Sequence, residues 1–306
     1  MCSQRPAVTL MPDVFHGTIV LITGASNGIG LAAAWELARM GAHVLMLCRD
    51  PSRGARACAD VAEAARGPAP DLLIADMSSQ ASVRAVAADV CRRFDRIDVL
   101  INNAAGIFAR REVTGDGIEK TFATNHVGPF LLTNLLLDRM AAGGRIVNVA
   151  TEVYPSKLDF DNLQGEKSYN FLSAYFRSKL ENIIFTVDLA KHLADTSITV
   201  NCMSPGPART GFGDNLTGLA GLLPRLAKPL FPSPERAART LVYLASSPEV
   251  EGASGRFYFR LRERSLKPIA HDRAVAARLW RISAKLAGLP VDARQAQRRL
   301  MQRSAS

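Results

Sequence analysis

Short apolar runs alternate with longer stretches of helical spacing along this chain. TIVLI (18–22), HVLML (43–47), LLIA (72–75), IDVLI (97–101), RIVNV (145–149) and SITVNCM (197–203) predict strands, and RFYF (256–259) predicts a further short one. Between them, helical spacing predicts helices over 28–40, from Asp50-Pro51 onward, and over 79–93, 125–142, 170–194 and 233–245. The strands are apolar throughout rather than alternating, as in a sheet covered on both faces. The order strand, helix, strand predicts an α/β fold with a doubly wound parallel sheet and helices on both faces.

Composition narrows the class. The 306 residues are 48% hydrophobic and 22% charged, as expected of a folded chain rather than a disordered one. No apolar run reaches the roughly 18–20 residues that span a bilayer. The first residues (MCSQRPAVTLMPDVF) lack a basic region followed by an apolar core, so no secretory signal is expected. Five cysteines (2, 48, 58, 91 and 202) form no CxxC pair. They suit a reducing, cytoplasmic compartment and argue against a disulfide framework or a metal site.

The net charge of +10 is concentrated at one end: from Arg260 onward, twelve Lys and Arg face three acids. Such a tail suits an anionic surface or is simply a solvated helix face. No aromatic-interleaved basic platform or finger spacing accompanies it, so no nucleic-acid partner is expected.

Two local patterns carry candidate chemistry. The first strand runs into TGASNGIG (23–30), a glycine-rich turn between a strand and a helix. Such a turn lets the backbone approach a pyrophosphate, and the helix beyond it offers free N–H groups and a positive dipole end. Gly24, Ser26, Asn27, Gly28, Ile29 and Gly30 are the expected contacts. The second strand ends in Cys48-Arg49-Asp50. An acid at this place grips the ribose hydroxyls of NAD, whereas an arginine accommodates the extra phosphate of NADP. Asp50 precedes Pro51 and reads as a helix N-cap. Arg49 is therefore the expected phosphate ligand; NADP (NADPH) is favoured and NAD is the less favoured alternative.

The second pattern is AYFRSKL (174–180), which puts Tyr175 and Lys179 four apart on one helix face. Spacing alone leaves two readings open: a solvated surface pair, or a phenol tuned by an ammonium.

With TGASNGIG, NNAAG and YFRSK in this order, the chain resembles a short-chain dehydrogenase/reductase over about Gly17 to Leu289. It most resembles the retinol dehydrogenase-like branch, through NHVGPFLLTNLLL (125–137), LDFDNLQGEKSY (158–169), TLVYLASSPEVEGASGRFYF (240–259) and ARLWRISAKLAGL (277–289). The resemblance implies a single-domain Rossmann-like fold of about seven strands, with cofactor and substrate sites in one domain. It implies an adenine contact at Asp76-Met77, a shelf beneath the cofactor at Asn103-Ala104 with Ala105 replacing the family glycine, and a segment over the nicotinamide at Pro205, Gly206 and Thr210. Asn125 matches the family's active-site asparagine, which helps hold a relay water. Tyr175 becomes the general acid/base, with Lys179 and the positive nicotinamide ring of the oxidised cofactor lowering the phenol's pKa, and with Lys179 also holding the nicotinamide ribose.

The sequence departs from the family where the fifth strand ends. The usual Ser-Ser reads Ala150-Thr151. Threonine keeps a hydroxyl donor, but its methyl restricts χ1 and takes space beside the substrate.

The expected organisation is an N-terminal extension (1–16), a dinucleotide-binding and catalytic domain (17–260) with a lid at 207–233, and a basic helical extension (261–306). The lid's leucines suit a small lipophilic substrate, and with the tail they suit weak peripheral contact with a membrane. The resemblance also allows a homo-oligomer. The expected function is hydride transfer between NADP(H) and a lipophilic alcohol/aldehyde or ketone. The alternative is a catalytically weakened cofactor-binding regulator or scaffold on the same fold.

Overall fold

The computed structural model describes residues 15–206 and 232–291. Thr210, most of the lid segment and the basic end of the tail lie outside the described residues.

The described strands form one sheet in the order β3-β2-β1-β4-β5-β6-β7-β8. They are β1 (Ile19–Thr23), β2 (His43–Cys48), β3 (Asp71–Ile74), β4 (Ile97–Asn102), β5 (Met140–Val149), β6 (Thr199–Ser204), β7 (Phe257–Phe259) and β8 (Arg262–Arg264). All neighbours pair in parallel except β8, which returns antiparallel on β7. This eighth strand has no apolar signature (Arg-Glu-Arg, all exposed), so periodicity gives only the seven before it. The turn into it places Arg260 and Leu261 at φ of 50° and 65°, a conformation that both tolerate poorly and that a two-residue hairpin demands.

Successive residues of each strand feed different cores, as the pleat requires. Val20, Ile22, Val44, Met46, Val99 and Ile101 join the layer holding α1 (Gly28–Arg39), α2 (Pro51–Ala64) and α7 (Pro234–Ser246). Leu21, Leu45, Leu47 and Leu100 face the layer of α3 (Gln80–Arg93), α5 (Gly128–Leu136), α6 (Phe171–His192) and α8 (Arg273–Leu286). Both faces are covered, which is why the strands read as apolar runs.

The helix expected at 125–142 starts earlier and stops sooner. Glu119 accepts from the N–H groups of Thr121 and Phe122 at 2.7 and 2.8 Å and starts α4 (Lys120–Phe122). A π-turn follows (Ala123–Val127), then α5. Met140 already pairs with Ile97, so β5 begins where the helical pattern was expected to continue. Periodicity missed this boundary because Met140 is buried in either element.

Candidate active site

The strand order reverses direction between β1 and β4, and ligands of such sheets bind in the crevice outside the carboxyl ends of the strands at that point. The turn from β1 into α1 lies there. Gly24 has φ of 69° and Gly28 of 56°, a region that side chains disfavour. A Cβ on Gly30 would lie 2.4 Å from the Gly24 carbonyl oxygen, so helix and loop touch through bare backbone. Asn27 precedes α1 in extended conformation, is exposed, and makes no side-chain cap. By contrast Asp50, Ser79, Asn170 and Asp272 each cap their own helices. The first N–H groups of α1 are thus left to an external acceptor. Ile29 lies in the first turn of α1, and Ser26 contacts the buried Cys48 thiol, whose pKa burial pushes up to about 11.

The shelf beside this loop is fastened to it. Thr23 Oγ1 accepts from the N–H groups of Asn103 and Ala104, both at 2.9 Å. Asn103 Nδ2 donates to the carbonyls of Thr23 and Gly24. Ala105, replacing the family glycine, is not in the left-handed region, so the alanine introduces no backbone strain.

At the ends of β2 and β3 the two acids behave differently. Asp50 Oδ1 accepts from Arg53 N–H at 2.9 Å, the N-cap role expected of it. Arg49 is exposed and has no hydrogen bond or ion pair among the described residues. Asp76 Oδ1 accepts from Ser78 twice, N–H and hydroxyl, at 2.8 Å each; its second oxygen takes part in neither bond. Met77 is buried beside it, its carbonyl oxygen 2.2 Å from where a Cβ on Gly128 would be. Pro205 and Gly206 follow β6, with Gly206 at φ 68° against the Phe259 ring.

α6 brings the remaining groups to the same edge. Lys179 is fully buried and donates to the carbonyl of Val149, the last residue of β5, at 2.9 Å. Its Nζ lies 5.6 Å from the centroid of the Tyr175 ring. Thr151 follows two residues after Val149, and its Oγ accepts from Val153 N–H at 3.3 Å, leaving its own proton to donate.

Asn125 is the hub. Its Oδ1 accepts from Gly106 N–H at 2.7 Å, and its Nδ2 donates to Gly106 O at 2.9 Å and Ser178 Oγ at 3.0 Å. Ser178 donates in turn to the Tyr175 carbonyl at 2.7 Å. The side chain of Asn125 is therefore fully engaged, joining the shelf to the helix of Tyr175 and Lys179. Sequence reading missed Ser178, which lies inside the YFRSK motif that was read only for its Tyr and Lys.

Burial sets the electrostatics of this pair. Desolvation pushes the Tyr175 phenol up and the Lys179 ammonium down to about 8. Nζ is held by a carbonyl below the ring face, so without further positive charge the ammonium does not offset the desolvation of a phenolate.

These groups fit a nicotinamide dinucleotide: open N–H groups for a pyrophosphate, an uncommitted guanidinium at the end of β2, and a phenol over a buried amine. The short chain dehydrogenase family model matches residues 18–218. This chain belongs to the short-chain dehydrogenases. Members of this family are oxidoreductases that bind NAD(P). The present short-chain dehydrogenase is 44% identical to "Retinol dehydrogenase 14" of Homo sapiens over 91% of this chain and 88% of that one. Among solved structures, an uncharacterized protein from Mycobacterium Paratuberculosis matches with a TM-score of 0.74 and 30% identity, covering 92% of this chain and 97% of that one. A short chain dehydrogenase from Burkholderia cenocepacia J2315, solved in complex with NADP, matches with a TM-score of 0.62 and 26% identity over 79% and 96%.

One buried acid stands behind the site. Glu181, two residues past Lys179, is fully buried; neither carboxylate oxygen has a hydrogen-bond partner among the described residues, and Arg177 Nε is 3.8 Å away. Burial pushes its pKa up to about 8, with Arg177 opposing and Glu119 adding to the rise. The folded chain thus holds a proton that the unfolded chain releases near the ordinary value of 4.5. This contribution is lost progressively as pH rises from about 4.5 to 8. His126, held down to about 4 by burial, acts with the opposite sign between about 4 and 6.5. The difference between parent and Glu181→Gln isolates the carboxyl. The variant is expected to gain on the parent as pH rises, by an amount that grows to on the order of 5 kcal/mol between pH 4.5 and about 9 and is constant above that. Urea unfolding at pH 5, 7 and 8.5 measures it; a pH-independent difference would refute the assignment.

Proposed function

We propose that this chain is an NADP(H)-dependent short-chain dehydrogenase acting on a lipophilic alcohol/aldehyde or ketone, with Tyr175 as general acid/base. The supporting observation is the placement of Tyr175 and buried Lys179 at the end of β5, linked through Asn125 to the shelf beside the glycine-rich turn. The relatives named retinol dehydrogenases favour a lipophilic substrate. The Burkholderia structure with NADP and the uncommitted Arg49 favour NADP over NAD.

A bound nicotinamide dinucleotide supplies or accepts the hydride and, when oxidised, brings the positive ring charge that favours phenolate. Tyr175 gives its proton to the substrate oxygen in reduction and takes it back in oxidation. Lys179, below its ring, would hold the ribose of the bound cofactor and stabilise the phenolate. Thr151 donates its hydroxyl to the same substrate oxygen and orients it. Asn125 positions rather than touches: its side chain is engaged on both sides.

No helix among the described residues is long and apolar enough to cross a membrane. Contact with a membrane is proposed to be peripheral, through the lid and the basic tail, and a homo-oligomer remains part of the proposal.

The decisive experiment is fluorescence titration with NADPH and NADH, followed by turnover on a panel of aromatic and medium-chain carbonyls. Preference for NADPH with turnover on some of them is expected. Tight binding without turnover on any would favour the regulatory or scaffolding reading. Arg49→Ala should weaken NADPH about 10- to 100-fold, the range of one charge-assisted contact, and leave NADH within twofold. Equal weakening of both cofactors would remove Arg49 from the 2′-phosphate.

A further inference from the structure

The family model ends at residue 218, yet residues beyond it reach back to the site at two points. The first lies behind Asn125. Pro129 has no N–H, so it cannot give the Asn125 carbonyl its ordinary helical bond. Asn182 of α6 supplies a donor instead: its Nδ2 donates to that carbonyl at 2.9 Å. This fixes the amide, so Asn182 Oδ1 accepts from His126 Nδ1–H at 3.2 Å. His126 Nε2 then carries no proton and accepts from Ser283 Oγ of α8 at 2.8 Å, across 157 residues of sequence. The ring is fully buried, stacked on Phe122 at 5.4 Å, and held neutral. A buried histidine without an acceptor-side donor would lose this orientation.

The second point is the loop after Thr151. The Lys267 N–H donates to Tyr154 Oη at 3.0 Å, and its ammonium donates to the Tyr154 carbonyl and lies 4.6 Å from the centroid of that ring. Between these points Gln80 and Arg84 of α3 donate to the carbonyls of Leu286, Ala287 and Gly288, which fixes the end of α8.

We propose that the chain after β8 is a positioning clamp for the site: Ser283 sets Asn125 through His126 and Asn182, and Lys267 sets the loop that carries Thr151. Ser283 and Lys267 touch neither substrate nor cofactor in this reading. The inference rests on the roles proposed above for Asn125 and Thr151.

The test uses the chain in four forms: parent, Ser283→Ala, Ser283→Thr, and Ala277→Gly. The last weakens α8 from an exposed position on the helix, outside the network. Hydrogen–deuterium exchange of residues 104–108 reads the Asn125 clamp directly, through Gly106 N–H. Ser283→Ala should speed exchange there at least fivefold and lower kcat about tenfold, with the Kd for NADPH within twofold. Ser283→Thr, which keeps the hydroxyl, should restore both at least in part, and Ala277→Gly should change neither. Lys267→Met should raise KM for the carbonyl more than it lowers kcat. Ser283→Ala behaving like Ala277→Gly would overturn the proposal. If the parent turns over no substrate, the exchange arm still decides the clamp, and it is the oxidoreductase reading that falls.

Discussion

Tyr175→Phe is expected to reduce kcat by about 10³-fold or more, with NADPH still bound within a few-fold of the parent. General acid/base catalysis by a positioned side chain contributes roughly 10² to 10⁴, and no other side chain placed at this edge by α6 can give or take the proton. The Lys179 ammonium donates to the Val149 carbonyl and, in this reading, to the ribose. The Ser178 hydroxyl is committed to the Tyr175 carbonyl and to Asn125 Nδ2. Phenylalanine keeps the ring above Nζ, so the packing of α6 persists and the loss reports on the hydroxyl. Steady-state turnover with the best carbonyl of the panel, beside a fluorescence titration, checks it. Turnover within tenfold of the parent would remove Tyr175 from proton transfer.

Thr151→Ala is the second large effect. Removing one donor to an oxygen that gains charge in the transition state costs about 2.7–4 kcal/mol, or 10² to 10³ in kcat. The Thr151 hydroxyl already accepts from Val153 N–H, which orients the oxygen and leaves its proton for the substrate. Threonine is stiff at χ1, so this acceptor bond and the methyl together fix the donor direction. Thr151→Ser keeps the donor, frees χ1 and removes the methyl. It should retain turnover and accept bulkier carbonyls with lower KM. Equal kcat for Thr151→Ala and the parent would show that Ala150-Thr151 had already surrendered the family function.

Much of this was legible along the chain, but unevenly. Asp50-Pro51 read correctly as a cap because an N-cap is a local device: the carboxylate meets an N–H three residues on. The helix around Asn125 read less well. Its true start is set by Glu119, a fully buried acid that no periodicity marks as a cap. Asn125 itself was found through resemblance, but not its engagement with Gly106 and Ser178, which lie 19 and 53 residues away. The surroundings of the Tyr175 and Lys179 pair were not legible for a similar reason. Spacing places the amine near the phenol but does not say that a carbonyl holds it or that it is buried.

The sequence by itself determined the layered sheet, the glycine-rich turn and the one-turn spacing of tyrosine and lysine. These follow from pleat, helical repeat and the freedom of residues without a Cβ, all of which act within a few positions. The tertiary structure alone decided which donors are committed, which groups burial holds neutral, and that α8 reaches Asn125 through His126. Desolvation and long-range hydrogen bonds depend on what the fold packs around a group, and residues 157 apart carry no mark of their meeting until it does.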